Sequence, residues 1–370
     1  MNQINQTKKR VGVIFGGKSS EKEISLATGR YIYHLLDPQL FEGIALYMDN
    51  QGFLWQIPEK LVIMNKTSDV ESKLTKEAKK IRFEELPQKV DLIFNALLGK
   101  YGEDGVIQGV LELINIPYTG SGILASAVGM NKKVHKELLI HEGFLVPQDL
   151  LVTKVDWKKN KAEIIKKIET KIGFPCVVKP VCEGSSVGVA VAKKGVDLNK
   201  AIENAFYWDP EILIEKFIRG KEFMCVVWGN ENPEAMLPTE VVFEGDIHTY
   251  ESKYMPGKAQ YHTPVRVPEE IVKEIQRQAV AIYKLIGAKG YGRVDGFVVQ
   301  EGKDFKIYIG EPHTGTIMIP SSYVFQQAAR TKVQTKTKIG NKKMPVNPRL
   351  LVTKILGMAE EVHGNKKGYL

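Results

Sequence analysis

The chain has 370 residues, of which 43% are hydrophobic and 26% are charged. This composition is typical of a globular protein with two or three domains and a sizeable core. No apolar run approaches the ~20 residues that span a bilayer. The first residues also lack the apolar segment and cleavage site of a signal peptide, so neither a membrane span nor a secretory leader is expected.

The cysteines and the net charge indicate the cellular compartment and the possible partners. Cys176, Cys182 and Cys225 lack the spacing of a metal site and cannot all pair, so we expect a reducing cytoplasm. The formal net charge is +9, and residues 330–343 hold six basic residues and no acidic one. We interpret this stretch as a solvated surface. A nucleic-acid patch is the alternative, although no zinc finger or RNA-recognition signature accompanies it.

Strands and helices alternate through the first 120 residues. Apolar runs predict strands over residues 11–15, 41–48 and 90–98, and helical spacing predicts helices over residues 21–36 and 106–114. Such alternation indicates an open, mostly parallel sheet with ligands at the carboxyl ends of its strands.

Residues 12–19 satisfy the P-loop pattern G-x-x-x-x-G-K-[ST], but we reject that interpretation. A P-loop needs a strand before its first glycine, whereas Val13, Ile14 and Phe15 are themselves the centre of the predicted strand. The residues fit better as a strand that ends in a glycine turn and leads into a helix N-terminus, where a small anion can bind.

Two further units follow along the chain. Residues 131–141 begin the second, and the lysine-rich residues 153–171 predict an exposed helix with an apolar stripe at Ile164, Ile165 and Ile168. The third begins near Glu215, and its clearest helix covers residues 269–286, with Gly287 just beyond its end.

The segment KPVCEGSSVGV, residues 179–189, joins two apolar runs. It predicts a strand, a flexible glycine-serine loop and a second strand. Backbone N–H groups and hydroxyls in such a loop can surround a polyphosphate, and Lys179 adds a positive charge. An ordinary β-hairpin with a polar tip is the alternative, and this segment alone does not decide between the two.

Carboxylates and an arginine follow in two later strands. Residues 292–298 alternate in polarity, so Arg293 and Asp295 point to one face, and Glu311 lies at the exit of the next strand. Two facing carboxylates suit Mg²⁺, and Arg293 beside them can stabilise negative charge in a transition state. A surface ion pair is the alternative; the glycine-serine loop tips the interpretation towards the metal.

Residues 212–218 form an apolar strand that can stack on a flat base. Glu215 and Lys216 can then bind the edge of the base, and Glu222 can accept hydrogen bonds from ribose hydroxyls. Taken alone, the segment is better described as an amphipathic strand followed by a charged turn.

Together these segments resemble ATP-grasp ligases, most closely the D-alanine–D-alanine ligase family. The resemblance covers about residues 10–311 and rests on several long motifs: FGGKSSEKEISL, GEDGVIQGVLELINIPYTGSG, KPVCEGSSVGV, LIEKFIRGKEF, YESKYMPGKAQY and GRVDGF. It implies an α/β, three-lobed ATP-grasp fold. The lobes would be an N-terminal Rossmann-like (pre-ATP-grasp) substrate domain at residues 1–128, a central lobe at 129–214 and a C-terminal lobe at 215–370.

The resemblance also implies roles for individual residues. Binding of ATP is implied for Lys132, Lys179, Ser186, Glu215, Lys216, Glu222 and Lys253. Two Mg²⁺ (or Mn²⁺) ions are implied at Asp295, Glu311 and His313. Catalysis is implied for Glu21, Ser185 and Tyr254, which orient the first D-alanine and close the lid, and for Arg293, which steadies the tetrahedral intermediate. The family further implies a cytoplasmic homodimer that binds small molecules, and neither nucleic acid nor membrane.

Three positions depart from the family pattern. Leu98 stands where a histidine is usual, and His313 replaces the asparagine of an E-x-N metal motif. Residues 314–322, TGTIMIPSS, do not align with the family's P-G-M/F-T segment, so either Gly315 takes its place after a shift or the contact is lost. These departures concern the substrate pocket and the second metal ligand rather than the fold.

The leading hypothesis is ligation of two D-alanines for peptidoglycan precursors. Leu98 and residues 314–322 motivate a related ligase that joins another amino or hydroxy acid pair. His313 motivates a nucleotide-binding pseudoenzyme, because imidazole suits softer ions better than Mg²⁺. A nucleic-acid binder is the weakest alternative.

Overall fold

The computed structural model describes residues 7–245, 258–337 and 340–367. Its strands, in chain order, are β1 (Lys9–Gly16), β2 (Phe41–Met48), β3 (Leu54–Gln56), β4 (Lys79–Ile81), β5 (Leu92–Asn95), β6 (Asp149–Thr153), β7 (Cys176–Pro180), β8 (Ala190–Ala192), β9 (Glu211–Lys216), β10 (Lys221–Trp228), β11 (Glu234–Ala235), β12 (Thr239–Phe243), β13 (Ala259–His262), β14 (Tyr291–Glu301), β15 (Asp304–His313), β16 (Lys332–Thr337) and β17 (Gly340–Pro345).

Its helices are α1 (Lys22–Leu35), α2 (Glu59–Val62), α3 (Thr67–Glu71), α4 (Leu74–Glu77), α5 (Leu86–Lys89), α6 (Val106–Leu113), α7 (Ile123–Met130), α8 (Lys132–His141), α9 (Lys154–Lys167), α10 (Gly195–Trp208), α11 (Glu269–Leu285), α12 (Tyr323–Arg330) and α13 (Pro348–Lys367).

The N-terminal sheet has the strand order β4-β3-β2-β1-β5. Strand β1 pairs in parallel with β2 and β5, as the alternating pattern predicts. Every pairing among the described strands of the other sheets is antiparallel. In the N-terminal sheet the expectation of mostly parallel pairing holds, with eight paired residues in β1–β2 and four in β1–β5, whereas β2–β3 and β3–β4, with three each, are antiparallel. The cause is a tight turn after β2, in which Asp49 accepts the N–H groups of Gln51 and Phe53 at 2.9 Å and returns the chain alongside.

Most of the residues that match the P-loop pattern lie in β1, so the rejection of a P-loop is confirmed. Gly12 lies in the strand, where an added Cβ would come within 2.7 Å of the Leu46 side chain. The strand ends at Gly16, whose φ of 92° and that of Gly17, 95°, make the turn towards α1. These two glycines occupy a backbone region that other residues rarely adopt.

The central sheet, of order β6-β9-β7-β8, is covered by α9 and α10. The predicted strand, loop and strand are confirmed, although β8 starts at Ala190 rather than at Val187. Helix α9 is shorter than the predicted 153–171, because the chain continues as a π-helical turn over Ile168–Ile172. Ile164 and Ile168 of the predicted apolar stripe are buried against the sheet.

The C-terminal sheet has the order β13-β12-β10-β14-β15, with β11 paired to β10. Helix α11 packs on it through Val272, Ile275, Ala279 and Ile282, close to the predicted spacing, and Gly287 with φ of 72° follows its end. The register of β14 and β15 sets Asp295 opposite Glu311 and Arg293 opposite His313. The sequence thus placed these acidic groups correctly.

The lobe boundaries proposed from the sequence remain a prediction. The predicted limit between residues 214 and 215 falls inside β9, a strand of the central sheet. Helix α8 precedes that sheet in the chain, yet its Leu139 belongs to the core of the C-terminal sheet.

None of the described helices combines the length and the apolar character of a membrane span. The three cysteines are free thiols, and Cys176 and Cys225 are buried.

Candidate active site

A cavity of about 1080 Å³ lies where the three sheets approach one another. Its wall includes the following residues that the sequence singled out: Glu21, Lys132, Lys179, Ser185, Ser186, Glu215, Lys216, Glu222, Arg293, Asp295, Glu311 and His313. Lys253 and Tyr254 lie outside the described residues. The fold therefore gathers in one place side chains from widely separated parts of the chain.

Lys179 is the centre of a buried charge network in this cavity. Its Nζ lies 2.9 Å from Glu215 Oε2 and 2.9 Å from Glu311 Oε1, because β7 pairs with β9 and faces β15 across the cavity. Lys132 Nζ, at the start of α8, lies 3.5 Å from Glu311 Oε2. Burial lowers the pKa of Lys179, but the two carboxylates outweigh burial and raise that pKa above its ordinary value. Lys179 is therefore a protonated cation.

Lys136 extends the network, although the sequence analysis did not single it out. Its Nζ contacts Glu215 Oε1 and lies 3.7 Å from Asp149 Oδ1, and its side chain is 2% exposed. Burial lowers the pKa of Lys136. The signal in the sequence was its spacing, since Lys132 and Lys136 are four residues apart on one helix face.

Acids and bases consequently alternate along a row that lines the cavity at Glu215, Lys179, Glu311 and Lys132 and continues behind the wall to Lys136 and Asp149. We call this set the charge row; in spatial order its members are Asp149, Lys136, Glu215, Lys179, Glu311 and Lys132.

The loop over residues 181–189, which we call the phosphate loop, is tied to the N-terminal domain. Ser185 Oγ donates a hydrogen bond to Glu21 Oε2, and Glu183 Oε1 lies 2.6 Å from Lys100 Nζ. Ser185 and Ser186 have φ of 46° and 60°, in the left-handed region. A Cβ on Gly184 would overlap the carboxylate of Glu21, so a larger residue there would displace it. The loop thus lines the cavity, with the Ser185 hydroxyl turned towards Glu21.

The predicted metal residues converge, but each carboxylate already has a cationic partner. Arg293 Nε lies 2.7 Å from Asp295 Oδ1, and His313 Nε2 lies 3.4 Å from Asp295 Oδ2 and 3.8 Å from Glu311 Oε2. Burial, followed by Arg293, lowers the pKa of His313, so its imidazole is neutral near pH 7. Over residues 7–245, 258–337 and 340–367, no three His, Cys, Asp or Glu side chains form a ready metal site.

Arg293 is held in place from the other side by the segment that departs from the family. Its guanidinium donates to the Tyr323 hydroxyl, which is 3.0 Å from Thr316 Oγ1. Ser322 caps α12 by accepting the Val324 N–H. Residues 314–322 therefore line the cavity and support the arginine.

Lys216 and Glu222 lie towards the outer end of the cavity, on β9 and β10. Glu222 pairs in register with Phe297 and Val241. Burial, then Tyr323 and Glu222, raises the pKa of the neighbouring Tyr261 to about 12. Lys216, Glu222 and Tyr261 thus share the cavity wall with Glu215 and Lys179 of the charge row.

Glu103 is a second residue that the sequence analysis missed. It precedes α6, accepts the Gly99 N–H on Oε2 at 2.7 Å, and lines the cavity beside Leu98. Burial and then the charge of Glu21 raise the pKa of Glu103 to about 7, although the Gly99 N–H and Arg293 oppose the shift. The sequence offers one indication of this role: Glu103 lies between glycines in a turn that follows a predicted strand, where ligands commonly bind.

Comparison with known proteins agrees with this geometry. The family model described as D-ala D-ala ligase N-terminus matches residues 10–121, and the one described as D-ala D-ala ligase C-terminus matches residues 138–338. The D-alanine–D-alanine ligase of Geobacillus thermodenitrificans is 36% identical over 318 residues, covering 83% of this chain and 86% of that relative.

Two solved structures are also similar. The VanG D-Ala:D-Ser ligase of Enterococcus faecalis has a TM-score of 0.78 at 27% identity, over 95% of this chain and 99% of its own. The D-alanine–D-alanine ligase of Bacillus anthracis complexed with ATP has a TM-score of 0.70 at 26% identity, over 97% and 99%.

The chain therefore belongs to the D-alanine–D-alanine ligase family of ATP-grasp enzymes. The family and the ATP-grasp fold class predicted from the sequence are confirmed.

Proposed function

We propose that this enzyme uses ATP to join two D-alanines into D-alanyl-D-alanine through an acyl phosphate, in the synthesis of peptidoglycan precursors. The observation that carries the proposal is one cavity in which Lys132, Lys179 and the phosphate loop face Arg293. The two lysines suit phosphoryl transfer, and the separately held arginine suits the attack at a carbonyl carbon that follows. The names of the relatives support the same reaction.

ATP would lie along the charge row. Lys132 and Lys179 present their positive charge to the phosphates, and the phosphate loop closes over them with the Ser185 and Ser186 hydroxyls. Lys216 and Glu222 would bind the base and the ribose at the outer end. Lys253 is proposed, from the family motif, to reach the phosphates.

The donor set fits magnesium that arrives together with phosphates. Mg²⁺ takes one or two carboxylates and completes its shell with waters and phosphate oxygens, so a closed cage of three protein ligands is not needed. Asp295 and Glu311 provide the two hard oxygens, with His313 between them at 3.4 and 3.8 Å. These residues would hold two Mg²⁺ or Mn²⁺ ions, which neutralise phosphate charge when bound.

The chain's own groups would then orient the substrates. Glu21, fixed by Ser185, would receive the ammonium group of the first D-alanine, and Tyr254 would complete that set. Arg293, held between Tyr323 and Asp295, would stabilise the negative charge that develops on the carbonyl oxygen. The phosphate loop would exclude water, which protects an acyl phosphate from hydrolysis.

We further propose that the enzyme acts in the cytoplasm as a homodimer and binds neither nucleic acid nor membrane. Its working partners would be ATP and D-alanine alone.

The test is a purified-protein assay with ATP, Mg²⁺ or Mn²⁺, and a panel of D-amino and hydroxy acids, following ADP and dipeptide together. D-alanine is expected to give both products, and Asp295→Asn to abolish them while the surface variant Glu84→Gln retains them, since Glu84 is exposed and pairs with Arg82 on the surface. Turnover with another pair but not with D-alanine would refute the proposed substrate. Absence of turnover with every pair would refute the enzyme itself.

A further inference from the structure

Glu103 lies between glycines from two different lobes. Gly99 of the N-terminal domain donates its N–H to Oε2 at 2.7 Å, and the other oxygen, Oε1, faces the α-carbon of Gly315 so closely that a Cβ there would overlap it. Gly315 belongs to the segment 314–322 that lines the cavity. The carboxylate therefore stands at the seam of the two lobes, on the wall of the site.

The negative groups around Glu103 are not balanced by positive ones. Glu21 and Asp104 repel it, and the hydroxyl of Tyr291 is buried nearby. The attraction of Arg293 offsets only part of this repulsion, because the guanidinium is already 2.7 Å from Asp295. Leu98 beside it offers no titratable atom. A small cation that entered the cavity here would relieve the repulsion.

We propose, building on the ligase function above, that Glu103 is a catalytic residue that binds the ammonium group of the second amino acid and takes its proton. The second substrate is the one group in the reaction that must enter as a cation and react as a neutral amine. Glu21 is committed to the first amino acid through Ser185. Glu103 is the other carboxylate on the wall beside Gly315.

The step balances as a proton transfer followed by acyl transfer. The ammonium group gives one proton to the Glu103 carboxylate, which leaves a neutral amine and a carboxylic acid. The amine lone pair then forms the new C–N bond at the acyl carbon, and the C–O bond to phosphate breaks with its electron pair on the phosphate. The departing phosphate takes the second proton from the nitrogen, which leaves a neutral amide. A base whose pKa lies near the working pH is suited to this task, and burial has moved Glu103 into that range.

The test compares two nucleophiles on the wild type, Glu103→Gln and the surface control Glu84→Gln. Hydroxylamine is largely unprotonated at neutral pH, so it can trap the acyl phosphate as a hydroxamate without a general base. Glu103→Gln is expected to retain hydroxamate formation from D-alanine and ATP but to lose dipeptide turnover about 100-fold or more. Its glutamine oxygen can still accept the Gly99 N–H, and Glu103→Asp is expected to recover part of the rate.

A pH profile separates catalysis from a merely structural role. Wild-type dipeptide turnover should fall as pH drops through about 7, where Glu103 becomes protonated, and this limb should be missing from the residual activity of Glu103→Gln. Equal dipeptide rates in Glu103→Gln and the wild type, or parallel loss of hydroxamate and dipeptide, would overturn the proposal. Wild-type protein that forms neither product would instead overturn the ligase function, and with it this proposal.

Discussion

Replacing Glu103 by glutamine should stabilise the protein at neutral pH, and more so the higher the pH. The pKa of this carboxyl is raised from 4.5 to about 7 in the folded protein, first by burial and then by Glu21. A raised carboxyl pKa means that the folded state holds the proton more tightly than the unfolded chain does. Its contribution to the free energy of unfolding is therefore complete below the unfolded pKa and is lost as pH rises through about 7.

The size of the effect follows from the shift. Each pKa unit corresponds to 1.36 kcal/mol, so a shift from 4.5 to about 7 amounts to about 3 kcal/mol between acidic and slightly alkaline pH. Glutamine carries no titratable proton and can keep the hydrogen bond from Gly99. The stability difference between Glu103→Gln and the wild type should therefore grow by about 3 kcal/mol in favour of the variant over this range.

The measurement is urea unfolding of both proteins side by side, from about pH 5 to about pH 8. Taking the difference at each pH cancels the titration of groups that the two proteins share. Glu84→Gln, which removes an equal charge from the surface, should show no such trend. A Glu103→Gln difference that stayed constant within roughly 0.5 kcal/mol would refute the reasoning.

Three other substitutions test the site. Lys136→Met should cost about 3 kcal/mol of stability and raise the KM for ATP about tenfold, because it leaves two buried carboxylates short of a partner; denaturation and steady-state kinetics measure these. Gly315→Ala should lower turnover about 100-fold, since its Cβ would displace the carboxylate facing it. Glu183→Gln should raise ATP hydrolysis without dipeptide up to about fivefold, because it weakens one of the two ties between the phosphate loop and the N-terminal domain.

Each of these has a matched control. Lys133→Met removes the second lysine beside Asp149, 3.3 Å from its Oδ2, but keeps both lysines that pair with Glu215 on the cavity wall, so the KM for ATP should stay unchanged. Gly357→Ala adds a methyl group in α13 with nothing within 4 Å and should preserve turnover. Lys100→Met should reproduce Glu183→Gln, and the two changes together should add little. The argument for Lys136 would be contradicted by an equal KM for ATP in the Lys136 and Lys133 variants. Full activity in Gly315→Ala would contradict the argument for Gly315. The argument for the phosphate loop would be contradicted if the effects of the Glu183 and Lys100 changes were additive.

Much of the fold could be predicted because local patterns and tertiary packing agree. Strand β2 occurs at the predicted residues, and α11 ends at the predicted glycine, because the apolar spacing of each is strong. The pairing directions after β2 could not be predicted from alternation alone. The antiparallel return of β3 along β2, for example, depends on a short turn built by Asp49, which leaves no periodic pattern in the sequence.

The same division holds at the site. Asp295 and Glu311 could be paired from sequence, because adjacent antiparallel strands place alternate residues on one face. Lys136 and Glu103 could not be predicted, because their importance comes from their neighbours in the folded protein. Lys136 contacts the buried carboxylate of Glu215, and Glu103 lies against Gly315 of another lobe. Burial and long-range neighbours carry no local pattern.

The charge row has a consequence for how this protein can change over time. Acid and base follow one another along it, and replacing one inner member leaves both of its neighbours with one counter-charge fewer inside the molecule. Evolutionary substitutions in the charge row are therefore expected in pairs, at two positions together. The lysine-rich outer surface of α9, in contrast, is free to vary one residue at a time.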